Sequence, residues 1–426
     1  MMASIPRNRM TSRSSVPKGR IELHCHLEGA IRHTTIWELL KTKRLALPGN
    51  GSLEALIDAL TIHQPKDLNH LLSKFSIFMP AVTDDVDAIE RMAFEFVEDE
   101  ARQGVCYCEV RYCPFLLLQK HSNDHLLKLD PGFVPEHNEI RLEGQDKYPT
   151  VRDVVRAVNR GFQRGEEETG VKARSILACI RGMPEWSRDI LELCEEFSHS
   201  VVGIDIAGDE VGKTSKGKTE EEAMLDEEDV WAFQQAKQKG IHRTVHAGEV
   251  GPPQMVQKYE YRNIKKSLSV GEALDVLHAE RIGHGYNVLK DSKIYQKCLL
   301  SGVHFETCPH SSCLTGAVPL ATAKHPIVRF AEDGANFSIS RDDPTVTMAS
   351  LQEEYDLLVD WGLTEAHLAR ANFNAAMASF LPVKEKKALM EKLKGIYGVP
   401  DSESLSRMDW IPTNQPSVKF GTWDDR

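Results

Sequence analysis

The sequence lacks the features that would place the protein in a membrane or in an oxidising compartment. No uninterrupted apolar run in its 426 residues approaches the roughly eighteen residues that a membrane-spanning helix needs. The first twenty residues carry five basic side chains but no apolar stretch of the kind found in secretory signals, so we interpret them as a tail. A mitochondrial transit peptide is the alternative interpretation, although the amphipathic periodicity of such peptides is missing. Nine cysteines, an odd number, predict reduced thiols. We therefore expect a cytoplasmic protein without a membrane partner.

The chain also lacks an excess of positive charge. Its 63 acidic residues outnumber 52 basic ones, giving a net charge of −11, and no basic stripe is present. Because a nucleic-acid partner needs such a stripe, a small neutral substrate is favoured instead. A chain of this length can build the complete core of one α/β barrel, so we expect a monomer.

Three familiar catalytic motifs are absent or incomplete. Residues 207–214 have the spacing of a phosphate-binding loop, but no apolar helix follows, and Asp209 and Glu210 would repel phosphate. His26-Leu-Glu28 resembles the His-x-Glu of cytidine-type deaminases, yet the matching Pro-Cys-x-x-Cys is missing. No His-Glu-x-x-His sequence of metalloproteases occurs. These absences argue against all three classes.

Eight apolar or alternating segments predict β-strands, and segments with helical periodicity separate most of them. The predicted strands are Arg20–His26, Val105–Tyr112, Ala173–Ile180, Val201–Ile206, a segment ending at His246, a segment ending at His284, Val303–Cys308 and Ala335–Ser340. Eight parallel strands with helical connections predict an α/β fold of the (β/α)₈ TIM-barrel type, with extra helices and a C-terminal helical extension. An open doubly wound sheet is the alternative.

The predicted barrel occupies one domain, residues 18–398, with a surface insertion at 118–149. Residues 1–17 and 399–426 are polar and read as tails. Thr83 and Thr150 are expected to cap the helices that follow them. Cys106, Cys108 and Cys113 resemble a metal cluster, but they lie in or just after a strand, so we expect buried core thiols.

Side chains suited to metal binding or proton transfer gather where the predicted strands end. They are His24 and His26, His246 and Glu249, His284, Cys308, and Asp342 with Asp343. Since barrel active sites lie at the carboxyl ends of the strands, we expect these groups to meet, although each taken singly could be structural. Three histidines and a carboxylate suit Zn²⁺, which makes a bound water a nucleophile near neutral pH. Glu249 is placed to move the proton of that water.

Six motifs make the chain resemble the metal-dependent adenosine deaminase family. They are Glu-Leu-His24-Cys-His26-Leu-Glu-Gly-Ala, Val-Lys-Ala-Arg-Ser-Ile-Leu, Asp205-Ile-Ala-Gly208-Asp-Glu, His-Arg-Thr-Val-His246-Ala-Gly-Glu249, Gly-His284-Gly and Asp342-Asp343-Pro344. The resemblance implies zinc-dependent hydrolysis of adenosine and 2′-deoxyadenosine to inosine and 2′-deoxyinosine plus ammonia, a reaction of purine salvage. It also implies that one zinc ion is bound by His24, His26, His246 and Asp342.

The resemblance further implies roles at the substrate. Glu249 would protonate purine N1, and His284 would orient the attacking hydroxide. The substrate-binding groups would be His26, Asp343 at N7, the Gly208 main chain at N3, and Glu28 at the ribose 5′-hydroxyl. Glu28 departs from the Asp usual in the family at the sugar contact, and His310 stands where Trp is common, at the outer wall of the pocket.

Two other functions stay open from the sequence. A related barrel hydrolase would act on adenine, an N6-substituted AMP or a cyclic amide, and a phosphorylated substrate would call for Arg or Lys near the site. A non-catalytic barrel would have lost a ligand or the acid, and here all are present.

Overall fold

Eight β-strands form the centre of the molecule. The computed structural model describes residues 19–118, 148–208, 226–250 and 270–399. The strands are β1 (Arg20–His26), β2 (Val105–Tyr112), β3 (Lys172–Ile180), β4 (Val201–Ala207), β5 (His242–Ala247), β6 (Arg281–His284), β7 (His304–Thr307) and β8 (Asn336–Ile339). These bounds differ from the predicted ones by a few residues at most.

The strands close into a parallel barrel. Each strand pairs in parallel with the next along the chain, in the order β1 to β8. The ring closes at its carboxyl end, where Cys25 bridges Asp342: the His26 amide donates to the Asp342 carbonyl at 2.9 Å, and the Asp342 amide donates to the His24 carbonyl at 3.1 Å. This confirms the TIM-type barrel and rules out the open sheet.

Helices surround the barrel and continue beyond the last strand. They are α1 (His33–Thr42), α2 (Leu53–Leu60), α3 (Leu68–Ser73), α4 (Phe75–Phe78), α5 (Val86–Arg102), α6 (Val151–Thr169), α7 (Ser187–Glu196), α8 (Glu227–Gln238), α9 (Val270–Asp275), α10 (Ser292–Ser301), α11 (Pro309–Leu314), α12 (Pro326–Glu332), α13 (Pro344–Thr347), α14 (Leu351–Asp360), α15 (Glu365–Ala378) and α16 (Val383–Tyr397). The last three confirm the predicted C-terminal helical extension. Short 3₁₀ helices, among them Glu28–Ala30 after β1, complete the connections.

Strand alternation separates a polar barrel interior from an apolar outer face. On β2, Tyr107, Glu109 and Arg111 recur at every second position; the Tyr107 hydroxyl donates to Glu109, and Arg111 donates to Asp205. The intervening Cys108 and Val110 belong to the large apolar cluster between the strands and the helices. Cys106 and Cys113 are buried too, so the three cysteines are the core thiols that the sequence predicted.

Helix ends follow the predicted signals with one exception. Thr150 caps α6 in a capping box with Asp153, as predicted. The cap of α5 is Asp85, whose side chain accepts the Ala88 amide at 3.0 Å, so the prediction of Thr83 was wrong. Asp85 lies immediately before the first helical residue, where its carboxylate reaches the free amides of the first turn, whereas Thr83 lies too early in the chain.

Some predictions lie outside the described residues. These are the two tails, nearly all of the proposed insertion, and the part of the loop-like segment from Asp209 onward. Within the described part of the chain, no helix is both long and apolar enough to cross a membrane.

We predict that replacing Asp85 with Ala lowers the free energy of unfolding by about 1 kcal/mol, the usual cost of a lost N-cap, whereas Thr83→Ala changes it by less than about 0.5 kcal/mol. Asp85 also lies 2.9 Å from Lys43 Nζ, so Asp85→Asn, which keeps the capping oxygen and removes the ion pair, is the control. Urea unfolding measures all three variants. A larger loss of unfolding free energy for Thr83→Ala than for Asp85→Ala would show that Thr83 is the N-cap.

Candidate active site

Four atoms of the kind that bind zinc meet at the carboxyl ends of β1, β5 and β8. His26 Nε2 lies 3.2 Å from His246 Nε2. Asp342 Oδ1 lies 3.2 Å from His24 Nε2 and 3.3 Å from His26 Nε2. Ligands that bind one zinc ion tetrahedrally at about 2.0–2.2 Å are roughly 3.3 Å from one another. The spacing therefore fits a single metal ion.

Buried carboxylates set the direction of two of these imidazoles. His24 Nδ1 lies 2.8 Å from Glu306 Oε2, and His246 Nδ1 lies 2.9 Å from Asp205 Oδ2. A carboxylate accepts hydrogen bonds, so His24 carries its proton on Nδ1 and presents the Nε2 lone pair to the cluster, and the Asp205 carboxylate beside His246 Nδ1 favours the same arrangement there. His24 Nε2 is buried and makes no hydrogen bond with the described part of the chain, which is the state of a ligand atom that needs a cation.

His284 and Glu249 lie beside the four atoms. His284 Nε2 is 3.7 Å from Glu249 Oε2 and 3.8 Å from Asp342 Oδ2. One potential ligand atom of His284 also lies within 4.8 Å of one such atom in each of His24, His246 and Asp342. Its contacts are longer than those that join the four atoms, so it lies beside the candidate ligands.

Local backbone geometry turns these side chains toward one another. His284 and Asp342 have φ values of 64° and 65°, in the left-handed region that non-glycine residues rarely adopt. The turn after β5 is held by the 3₁₀ helix Tyr286–Lys290 that follows β6, because the Asn287 amide donates to the Gly248 carbonyl at 2.9 Å and the Asn287 side chain donates to the Glu249 carbonyl at 3.2 Å. Such strained geometry concentrates at functional sites, where the surrounding structure imposes it.

The cluster opens into a cavity of about 130 Å³. Its polar lining includes His26, Glu28, Ser76, Gly208, His246, Glu249, His284, Asp342 and Asp343. Its apolar wall includes Leu68, Leu72 and Phe75 of α3 and α4, with Met79, Leu116 and Ile180. A cavity with an apolar wall and convergent polar groups is typical of small-molecule binding sites.

Burial and charge shift the pKa values of the lining groups. Burial lowers the pKa of His246 to about 4 and that of His284 well below its usual value, so both are neutral near pH 7. Burial raises the pKa of Asp343 to about 8, helped by the charge of Asp342, and raises that of Glu28 to about 7. Burial also opposes protonation of His26, but the charges of Asp343 and Asp342 outweigh it and raise its pKa to about 9.

The structure brings together nearly all of the residues that the sequence singled out. The residues that line one cavity are His26, Glu28, Gly208, His246, Glu249, His284, Asp342 and Asp343, and His24 contacts Asp342 beside it. Two candidates lie elsewhere. Cys308 is buried, and its backbone amide donates a hydrogen bond to the Tyr286 hydroxyl. His310 is absent from the described cavity lining, and its Nδ1 lies 2.9 Å from Glu354.

Three residues that support the cluster were not predicted as site residues. Asp205 and Glu306 orient the imidazoles, and the Ser311 hydroxyl donates to Asp342 Oδ2 at 2.7 Å. A charged residue inside a buried strand was the available signal for the two acids. For Ser311, Pro309 could have indicated the start of α11, since proline favours the first helical turn.

An eight-stranded parallel barrel that gathers histidine and aspartate at the carboxyl ends of its strands has the arrangement of barrel-type metal-dependent hydrolases. The family model of adenosine deaminase matches residues 17–396. An adenosine deaminase of Danio rerio is 39% identical over 398 residues, 93% of this chain and 100% of the relative. That of Mus musculus is 42% identical over 378 residues, 88% of this chain and 96% of the relative. The chain belongs to the adenosine deaminase family.

Solved structures show the same fold at lower identity. An adenine deaminase from Arthrobacter aurescens superposes with a TM-score of 0.69 at 22% identity, covering 90% of this chain and 99% of that one. An Arabidopsis N6-mAMP deaminase gives a TM-score of 0.66 at 22% identity, covering 89% and 98%. At these identities the likeness concerns the fold alone.

We predict that Ser311→Ala weakens metal binding by about 10- to 100-fold, because residues that hydrogen-bond to a ligand typically contribute that much. Competition with a chelator measures the affinity. Ser312→Ala is the matched control, since the neighbouring Ser312 hydroxyl donates to the Pro309 carbonyl and contacts His325 instead of a candidate ligand. Equal losses in both variants would show that Ser311 acts through the packing of α11 alone.

Proposed function

We propose that the protein is a zinc-dependent hydrolase that converts adenosine and 2′-deoxyadenosine, with water, to inosine and 2′-deoxyinosine and ammonia, as a step of purine salvage. One observation carries the proposal: a chain 39% to 42% identical to adenosine deaminases over most of its length keeps every candidate ligand and both proton-transfer groups around one cavity. A non-catalytic barrel would not need to keep them.

We assign His24, His26, His246 and Asp342 as the metal ligands. The contacts of 3.2–3.3 Å support this set, as do the Nδ1 partners of His24 and His246. Three nitrogens and one oxygen suit Zn²⁺ among the common divalent ions. When bound, the ion supplies a water that ionises near neutral pH.

Glu249 would give a proton to purine N1, and His284 would orient the attacking water. Glu249 is 3% exposed in a mostly apolar cavity, and its carboxyl lies 3.7 Å from His284 Nε2, so both groups reach the space beside the ligand cluster. A proton on N1 withdraws electrons from C6, which makes C6 open to attack. His284, neutral because of its burial, can accept a hydrogen bond from the water and hold it in line.

The remaining lining groups would recognise the substrate. Asp343 would contact N7 and the Gly208 main chain N3, with His26 adjoining the bound nucleoside. Glu28 would receive the ribose 5′-hydroxyl, because one of its carboxyl oxygens accepts the Cys113 amide at 2.7 Å while the other is buried without a partner in the described structure. An unpartnered buried oxygen favours a ligand that donates to it.

The charge of the cavity supports a nucleoside in preference to a nucleotide. Among the described lining residues there is no Lys or Arg. A phosphate group depends on such side chains, and Glu28 and Asp343 would repel it if ionised. This argues against an N6-substituted AMP as the substrate, and the Glu28 oxygen argues against free adenine, which has no sugar hydroxyl to offer.

We also propose that residues 18–398 act as one catalytic domain, that the protein works as a monomer, and that it resides in the cytoplasm. The closed barrel supports the first two, since its core needs no second chain. All nine cysteines are free and buried, which is typical of proteins in a reducing compartment.

Incubation with adenosine, 2′-deoxyadenosine, adenine and AMP tests this function, with the ultraviolet shift to hypoxanthine-type products as the readout. We expect the two nucleosides to be converted and the other two compounds to be poor substrates. Elemental analysis after dialysis should find one zinc per chain, and His246→Ala should lose metal and activity together. Faster conversion of adenine or AMP would replace the proposed substrate, and full activity without stoichiometric metal would remove the zinc.

We predict that Glu249→Gln keeps the zinc and the fold but loses most turnover. The amide is nearly the same size as the acid, yet it cannot deliver the proton that N1 needs. General acid catalysis contributes about 10²–10⁴ in rate, and we expect a loss at the upper end of that range or beyond, because this proton also creates the electrophile. Zinc content and kcat are the measurements. A decrease of kcat by less than about tenfold would exclude Glu249 as the donor.

A further inference from the structure

Gly29 occupies a position where backbone conformation does not require glycine. It is buried in the 3₁₀ helix Glu28–Ala30, and its φ lies outside the left-handed region. Any L-residue can adopt such a conformation, so the reason for glycine has to be space.

The space that a side chain at position 29 would take is filled by Asp343. A Cβ built on Gly29 would lie 1.8 Å from Asp343 Oδ1, 2.6 Å from Cγ and 2.9 Å from Cβ. These are the three nearest heavy atoms, and all belong to the one side chain. Turning the carboxyl group alone would not relieve the overlap, because the Asp343 Cβ is itself too close.

Hydrogen bonds fix both sides of this contact. On one side, the Leu27 amide donates to the Arg111 carbonyl at 2.8 Å and Glu28 accepts the Cys113 amide. On the other side, the Asp343 carbonyl accepts the amides of Val346 and Thr347, both at 2.9 Å. The two sides are joined where the Thr345 hydroxyl donates to the Ile31 carbonyl at 2.8 Å. A shift of either backbone segment would break some of these hydrogen bonds, so an added methyl group would move the Asp343 side chain instead.

We propose that Gly29 is a positioning residue for purine recognition. Because Gly29 has no side chain, the Asp343 carboxyl group can occupy the position from which it contacts N7. This rests on the proposed function, in which Asp343 contacts the purine. Gly29 itself is absent from the described cavity lining and is not one of the assigned metal ligands. Its replacement should therefore change which purines bind before it changes the metal centre.

A pair of product analogues tests the proposal. Inosine and 7-deazainosine differ only in N7, and both can be measured as competitive inhibitors of adenosine deamination. In the parent enzyme we expect inosine to bind about 10- to 100-fold more tightly, because the protonated Asp343 carboxyl group donates to N7 and 7-deazainosine leaves that buried donor without a partner. In Gly29→Ala this preference should fall to about twofold or less, as in Asp343→Ala, and the double variant should show no further decrease. Zinc content should stay at the parent level.

Each arm of this experiment has an outcome that overturns the proposal. If Gly29→Ala keeps the parent preference for inosine, or if the two substitutions add, Gly29 does not act through Asp343. A parent that deaminates adenosine without any N7 preference would remove the role of Asp343, and with it the premise for Gly29. A parent that does not deaminate adenosine would instead refute the proposed function.

Thermal unfolding gives an arm that does not depend on activity. Gly29→Ala should lower the Tm of the parent but should lower it much less when Asp343 is already Ala, because the two closest of the overlapping atoms, Oδ1 and Cγ, are then gone. Gly395→Ala is the control glycine, since a Cβ there meets nothing within 4 Å. An equal loss of Tm in both backgrounds would show that the overlap with Asp343 does not matter.

Discussion

The structure depends on one buried carboxylate, Glu306, which joins the ligand cluster to the barrel interior. It is fully buried and accepts hydrogen bonds from His24 Nδ1 at 2.8 Å, Arg111 at 2.5 Å, Thr244 at 2.8 Å and Arg281 at 2.7 Å. Burial opposes its ionisation, but the charges of Arg111 and Arg281 outweigh that and hold its pKa well below the usual value. Breaking such a buried pair by removing one partner costs about 3–5 kcal/mol. The direction of His24 is therefore fixed by groups from four different strands.

The charges around Glu306 explain why the interior suits a divalent cation. Four buried carboxylates (Glu109, Asp205, Glu306 and Asp342) share this region with two guanidinium groups, Arg111 and Arg281. Arg111 contacts Asp205 and Glu306, and Arg281 contacts Glu109 and Glu306, whereas the ion-pair partners of Asp342 in the described structure are imidazoles. A cation held by the candidate ligands would lie against this carboxylate. Binding of a metal ion there would therefore stabilise the folded barrel.

The sequence predicted the barrel and the members of the cluster because both follow from short-range pattern. Strand alternation located each strand within a few residues, and the carboxyl end of a parallel strand is known once the strand is known. It did not predict the pairing of Glu306 with His24, which joins residues 282 positions apart. Nor did it predict the contact of His310 with Glu354, because Glu354 lies on α14, whose packing depends on the closed barrel. The periodicity of apolar residues predicts local elements, and it carries no information on contacts between elements that are distant in the sequence.

The backbone at Asp342 shows how one strand end serves two purposes. Consecutive residues of an extended chain point to opposite faces, so a metal ligand and a substrate contact could not both face the cavity from adjacent positions of a regular strand. Asp342 and Asp343 nevertheless both line it, and the φ of 65° at Asp342 is the departure that allows this. A non-glycine residue in that region costs roughly 1–2 kcal/mol. The bonds of Asp342 to Ser311 and to the β1 backbone offset that cost, and Gly29 leaves the room into which the second carboxyl group turns.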